Sequence, residues 1–182
     1  MTPNVAALEK ICADLLVAIG EDPHRDGLRD TPRRWANFWR EFVDYRAGAL
    51  ETTFDAVTAS QMVVVSGIRA WSLCEHHLLP FSCDVAVGYI AADKVIGLSK
   101  IPRIVQRAAH RLQLQERFVA EIADDVARVT GSGDVAVFAT GQHLCMQMRG
   151  AKSDAVMRTS VMRGVFLTEA NARAEFLELA RR

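Results

Sequence analysis

Apolar residues recur at helical spacing from Val5 to Ile19, where Val5, Leu8, Cys12, Leu15, Leu16 and Ile19 form one face. This pattern predicts an amphipathic helix closed by Gly20, with Cys12 as a small core residue on its buried side. The polar stretch Glu21 to Asp30 leads into Thr31-Pro32, a capping residue followed by proline at the first helical position. A second helix follows, with Trp35, Phe38, Trp39 and Phe42 at i, i+3, i+4 and i+7, a packing stripe rather than a stacking platform for bases. After Gly48 the period changes. Met62 to Val65 and Ala70 to Leu73 are short apolar runs, and Val85, Val87 and Tyr89 alternate, as in antiparallel strands. Ala92-Asp93-Lys94 reads as a turn and Val95 to Leu98 as a short extended piece.

Ser99 is placed to cap a helix carrying Ile101, Ile104, Val105, Ala108 and Leu112, with Pro102 tolerated in its first turn. Another helix, from about Gln115 to Val129, buries Phe118, Ile122, Val126 and Val129 before the Gly131-Ser132-Gly133 break. Val135 to Thr140, His143 to Arg149 and Ala155 to Leu167 then read as extended, and Ala170 to Arg181 as a closing helix. This order predicts an α+β domain with helices on one face of the sheet. The expected organisation is a single domain, with a helical segment over residues 1–50 and the sheet-bearing α+β region over 51–182.

Composition narrows the classes. At 182 residues, half of them hydrophobic, the chain can bury one sizeable core. Its 22 Lys and Arg balance 22 Asp and Glu, so no overall field draws it to nucleic acid or to acidic lipid, and a polyanion site must be a local cluster. With neither a secretory leader pattern nor an apolar run of the roughly 20 residues that span a bilayer, the expectation is a soluble, cytoplasmic protein. Cysteines at 12, 74, 83 and 145 are too sparse for a disulfide framework, which leaves burial or metal binding.

The densest group of metal-capable side chains is Ser72-Leu73-Cys74-Glu75-His76-His77, expected on a loop after a strand. Cys74 and His77 supply a thiolate and an imidazole three residues apart, a first pair for zinc. About 70 residues further on comes His143-Leu144-Cys145. On a strand, residues two apart share a face, so His143 and Cys145 would look into one pocket. Three protein ligands, Cys74, His77 and Cys145, leave a fourth tetrahedral position open, as in a catalytic zinc site. His76 and His143 then stand beside the metal as imidazoles able to move protons near neutrality. A closed structural zinc with a fourth side chain, or two unligated core thiols, are the competing readings. Cys83 is read as core.

Ser99-Lys100-Ile101-Pro102-Arg103 opens a helix whose free amides attract phosphate, with Lys100 and Arg103 on one face. Arg149 would extend the strand of His143 and Cys145 in phase with both, so that one ligand could touch metal and guanidinium. Gln113-Leu114-Gln115-Glu116-Arg117 lies between the central helices. Its carboxylate and amide could read a purine's donor edge, although the residues by themselves favour a helix-capping role.

Five segments taken together resemble the GTP cyclohydrolase I family. They are Gly20-Glu21-Asp22-Pro23 with Asp30-Thr31-Pro32-Arg33-Arg34; Cys74-Glu75-His76-His77-Leu78-Leu79-Pro80-Phe81; Val95-Ile96-Gly97-Leu98-Ser99-Lys100; Gln113-Leu114-Gln115-Glu116-Arg117; and His143-Leu144-Cys145-Met146 with Met148-Arg149-Gly150. The resemblance runs from about Leu8 to Leu179. It diverges over Ala151 to Arg158, and the expectation is a member without the long N-terminal extension that some carry. It implies a tunnelling fold whose subunits join their sheets into a barrel within a toroidal homodecamer. It also implies zinc on Cys74, His77 and Cys145, proton transfer by His76 and His143, and guanine held by Gln115 and Glu116. Ser99, Lys100, Arg103 and Arg149 would meet the triphosphate or sugar of GTP, with Arg34 reaching in from a neighbouring subunit. Ser99 would also share in acid and base roles during the later rearrangement. The implied reaction opens the imidazole ring of GTP, releases formate and forms a dihydropterin triphosphate. Two other classes compete: a nucleotide-binding module that has lost turnover, and a zinc enzyme of the same fold acting on a pterin or deazapurine precursor.

Overall fold

A computed structural model describes residues 2–58 and 60–181, so the outer ends of the two expected ranges, residues 1 and 182, lie outside the described residues. The chain divides into two compact units, one up to Arg46 and one from Ala47 onward. In the first, α1 (Val5–Ala18) starts at Asn4, whose side chain accepts the Ala7 amide at 3.0 Å. Then α2 (Thr31–Val43) begins one residue earlier than the Thr31-Pro32 signal suggests. Thr31 is already helical and Asp30 holds the cap position without a side-chain cap bond, its carboxylate lying beside Arg33 and Arg34 instead. The aromatic stripe packs on itself, Trp35 edge-on to Trp39 at 5.7 Å and Phe38 stacked on Phe42 at 5.9 Å. Cys12 is buried, as its helical phase requires.

The second unit runs β1 (Thr53–Asp55), β2 (Gln61–Cys74), β3 (Pro80–Ala91), β4 (Lys94–Ile96), α3 (Lys100–Ala109), β5 (Leu112–Gln113), α4 (Gln115–Thr130), β6 (Val135–His143), α5 (Leu144–Gln147), β7 (Met157–Met162), α6 (Val165–Thr168) and α7 (Ala170–Ala180). A five-stranded sheet has the order β5-β2-β3-β6-β7, antiparallel except where β5 joins β2, and β1 pairs with β4 separately. The two apolar runs read before and after residue 66 are one strand. A register shift between Val65 and Ile68, with Gly67 at φ +72°, breaks the alternation there and makes β2 look like two pieces.

On β3 the odd positions Phe81, Cys83, Val85, Val87 and Tyr89 face the core shared with α3 and α4, and Phe118, Ile122 and Val126 of α4 are all but fully buried against it. Each such side chain stabilises by up to about 3 kcal/mol. The expectation of helices on one face needs correction. Ala86 and Ala136 are buried on the opposite face beneath Phe166 of α6 and Phe176 of α7, because both faces of the central strands are apolar. Leu112 is also not helical: α3 ends at Ala109, and Leu112–Gln113 form a parallel edge pair with Leu73–Cys74. The expected run Ala155 to Leu167 is likewise two elements, since Gly164 turns at φ +54° and Asp134 Oδ1 caps α6 by accepting the Val165 amide at 2.8 Å.

Candidate functional site

The Cys74 turn is held by backbone bonds. Its amide donates to Leu79 O at 2.9 Å, and its carbonyl accepts from His77 at 3.3 Å and Leu78 at 2.8 Å. Leu78 sits at φ +55°, a conformation unfavourable for a branched side chain, so the turn is fixed by its surroundings rather than by local preference. The geometry brings Cys74 Sγ to 3.6 Å from His77 Nδ1. With Cys145 Sγ these ligand atoms all lie within 4.8 Å of one another. Bonds of about 2.3 Å to sulfur and about 2.0 Å to nitrogen at tetrahedral angles put such atoms about 3.5 Å apart, so the donor set fits a zinc-sized ion in both chemistry and spacing.

Cys145 arrives there by a different route from the one the sequence suggests. β6 ends at His143, and Leu144–Gln147 form one helical turn, closed by Met148 N donating to Leu144 O at 3.0 Å. His143, Cys145 and Arg149 are therefore not in phase on a strand. The turn itself carries the Cys145 sulfur to Cys74. Burial, reinforced by the neighbouring Cys74 sulfur, pushes the Cys145 thiol above its ordinary range, while the charge of exposed Arg149 acts in the opposite direction.

His143 is half-buried at the end of β6. Phe81, its cross-strand partner, stacks on the ring at 4.6 Å with planes 8° apart, and Gln115 Oε1 lies 2.8 Å from Nε2. Desolvation lowers its pKa below the usual imidazole value, with the charge of exposed Glu116 partly opposing this. His76 is exposed beside His77, ring centroids 6.1 Å apart and nearly perpendicular.

The remaining expected residues are placed less directly. Ser99 holds the cap position of α3 in helical conformation without a side-chain cap bond, and is exposed. Lys100 donates to Ala49 O at 3.0 Å, and Arg103 is exposed. Arg34, in the first unit, lies 3.4 Å from Asp30 and is otherwise solvated. Gln115 is buried with its carboxamide bonded inside the chain.

A polar network escaped the sequence reading. Arg117 pairs with Glu75, inside the ligand turn, and its Nε donates to Gln113 Oε1 at 2.7 Å. Fully buried Gln113 donates to Glu121 at 2.9 Å and to Ala108 O at 3.0 Å, while its carbonyl accepts the Glu75 amide at 3.2 Å. The i, i+4 spacing of Gln113, Arg117 and Glu121 was visible, but Glu75 lies 42 residues from Arg117 and no local pattern joins them.

The second unit thus defines an α+β protein with a Cys-His-Cys metal-capable cluster and a clamped histidine within two residues of one ligand. The family model for GTP cyclohydrolase I matches residues 8–181, and the chain belongs to that family. It is 47% identical over 175 residues to a GTP cyclohydrolase 1 of Hyperthermus butylicus, covering 96% of this chain and 90% of the relative. It is 46% identical over 182 residues to that of Caldivirga maquilingensis, covering 100% and 95%. A GTP cyclohydrolase 1 of Pseudomonas syringae pv. tomato is 46% identical over 171 residues, covering 91% of each chain. No helix among the described residues is long and apolar enough to cross a membrane.

Proposed function

We propose that this chain is a GTP cyclohydrolase I, which opens the imidazole ring of GTP, releases formate and closes the remainder into 7,8-dihydroneopterin triphosphate. The observation that carries the reading is the convergence of Cys74 Sγ, His77 Nδ1 and Cys145 Sγ within 4.8 Å beside His143. Zinc on these three ligands, when bound, supplies a Lewis acid that lowers the pKa of water toward about 7.

The chain's own groups do the rest. His143 and His76 give and take protons at the guanine ring nitrogen as the C–N bond breaks, and Ser99 shares in the later acid and base steps. Glu116, acceptor-only when ionised, holds the donor edge of guanine, and Gln115 belongs to the same recognition segment. Lys100, Arg103 and Arg149 meet the triphosphate, joined by Arg34 from a neighbouring subunit of a homodecamer built on the tunnelling fold. Reduced thiols suit a cytoplasmic enzyme, acting on GTP with neither nucleic acid nor membrane as partner.

Purified, zinc-loaded protein incubated with GTP should release formate and yield, after oxidation, a fluorescent pterin in equal amount. Intact GTP after prolonged incubation of the folded, metal-loaded protein would reject the reading.

A further inference from the structure

Gln115 is a polar side chain at the first position of α4, and it is 1% exposed. Its Nε2 lies 3.1 Å from Met157 O, 3.0 Å from Thr159 Oγ1 and 3.4 Å from Ala139 O. Its Oε1 lies 2.8 Å from His143 Nε2. Carbonyl oxygens only accept, so the NH2 end of the amide must face Met157 and Ala139, and the oxygen must face the imidazole. A carboxamide oxygen also only accepts. The hydrogen in the contact with His143 therefore belongs to the ring.

We infer that Gln115 is a positioning residue which holds His143 as its Nε2–H tautomer and so leaves Nδ1 as the ring atom that exchanges a proton with substrate. The surroundings are built for this contact. A Cβ on Gly141 would lie 1.9 Å from Gln115 Oε1 and 2.8 Å from its Cδ, so the absence of a side chain at 141 makes the space in which the amide reaches the ring. Phe81 closes one face of the imidazole, which stops it tilting away from the amide. Gln115 is then occupied on both ends of its amide and buried, and reading the guanine edge falls to Glu116. Orienting an imidazole through the nitrogen that does not react is a recurrent device, and losing the orienting partner allows the wrong tautomer.

The inference rests on the proposed role of His143 in proton transfer, but its test does not require turnover. Zinc-loaded protein carrying 15N-histidine, with only five histidines in the sequence, would have its ring nitrogens assigned by comparison with His143→Asn and observed by NMR. The neutral His143 ring should show a protonated Nε2 and a bare Nδ1. A protonated Nδ1 in the unaltered protein would overturn the inference. Gln115→Met should populate both tautomers and lower kcat by about tenfold or more, with KM for GTP within about twofold and zinc content unchanged. A raised KM with an unchanged tautomer would instead make Gln115 a substrate reader and overturn it. Should Gln115→Met fail to fold, Gly141→Ala displaces the same amide, and the tautomer in the unaltered protein decides the matter alone. Failure to form formate from GTP would reject the proposed reaction and leave the tautomer result standing.

Discussion

Cys145 comes within reach of Cys74 and His77 from a single helical turn, Leu144–Gln147. Thiol and imidazole side chains are metal-capable by chemistry alone, so Cys74, His77 and Cys145 could be grouped without any structure, and their ligand atoms lie within 4.8 Å of one another. The conformation that unites them was not legible. Alternating residues from His143 to Arg149 look like a strand, whereas the chain makes a single helical turn at Leu144–Gln147, too short to show a helical period. The roles assigned to neighbouring residues are separable by experiment. Cys145→Ser should lose zinc, read by elemental analysis, together with turnover, because a two-ligand site is incomplete. His143→Ala should retain zinc and GTP binding while losing roughly 100- to 10,000-fold in rate. Full zinc occupancy in folded Cys145→Ser, or zinc loss in His143→Ala, would reverse these assignments. Cys83, also legible as core, is buried and its thiol pushed up to about 12 by desolvation, an inert group for metal or nucleophilic chemistry.

Among the elements, long and strongly patterned segments were the readable ones. The buried face of α4 follows from 3.6-residue periodicity and the alternation of β3 from its pleat. Of the face predicted for α1, by contrast, only Cys12 and Leu16 are buried, with Leu15 and Ile19 exposed, and Phe38 of the α2 stripe is exposed as well. What the sequence concealed were features that depend on distant partners. β5 is two residues long and exists by pairing with the end of β2, and a bulge split β2 into apparent halves. At that same junction Gln113 and Arg117 tie α4 to Glu75 in the ligand turn. Arg117→Met keeps the aliphatic bulk and removes the pairing, so the Cys74–His77 turn should loosen. Zinc affinity should fall by about tenfold or more, as is typical when groups supporting metal ligands are lost. Competition with a chromogenic chelator measures this. An unchanged zinc affinity would mean that the turn's own backbone bonds suffice.

The whole chain joins a helical unit to the unit that bears the metal-capable cluster. The boundary between the units falls at Arg46 and Ala47, and the apolar period changes after Gly48. Assembly lies beyond what one chain's periodicity reveals, because an apolar helical face reads the same whether its cover is intramolecular or a second copy. Burying the roughly four negative charges of GTP calls for several cations, and the proposed Arg34 contribution from a neighbouring subunit supplies one. Arg34→Ala and Cys145→Ser should each be severely impaired alone yet complement in mixed oligomers. With random assembly about a quarter of sites would combine an intact ligand set with an intact Arg34. Doubly tagged oligomers purified after co-expression would show it. Recovery of only a few per cent of the unaltered activity, with mixing verified, would assign Arg34 to its own chain's site or to none.

The fit of Phe176 against the sheet bears on how such a chain can change over generations. A Cβ on Gly88 would lie 2.7 Å from the Phe176 ring, and φ at Gly88 is not in the left-handed region, so space alone keeps a side chain out. A methyl group at 88 becomes tolerable once residue 176 is smaller, and a smaller residue at 176 leaves a gap that a larger 88 can fill. Two codons almost ninety positions apart are thereby coupled, since the cost of altering either depends on what the other encodes.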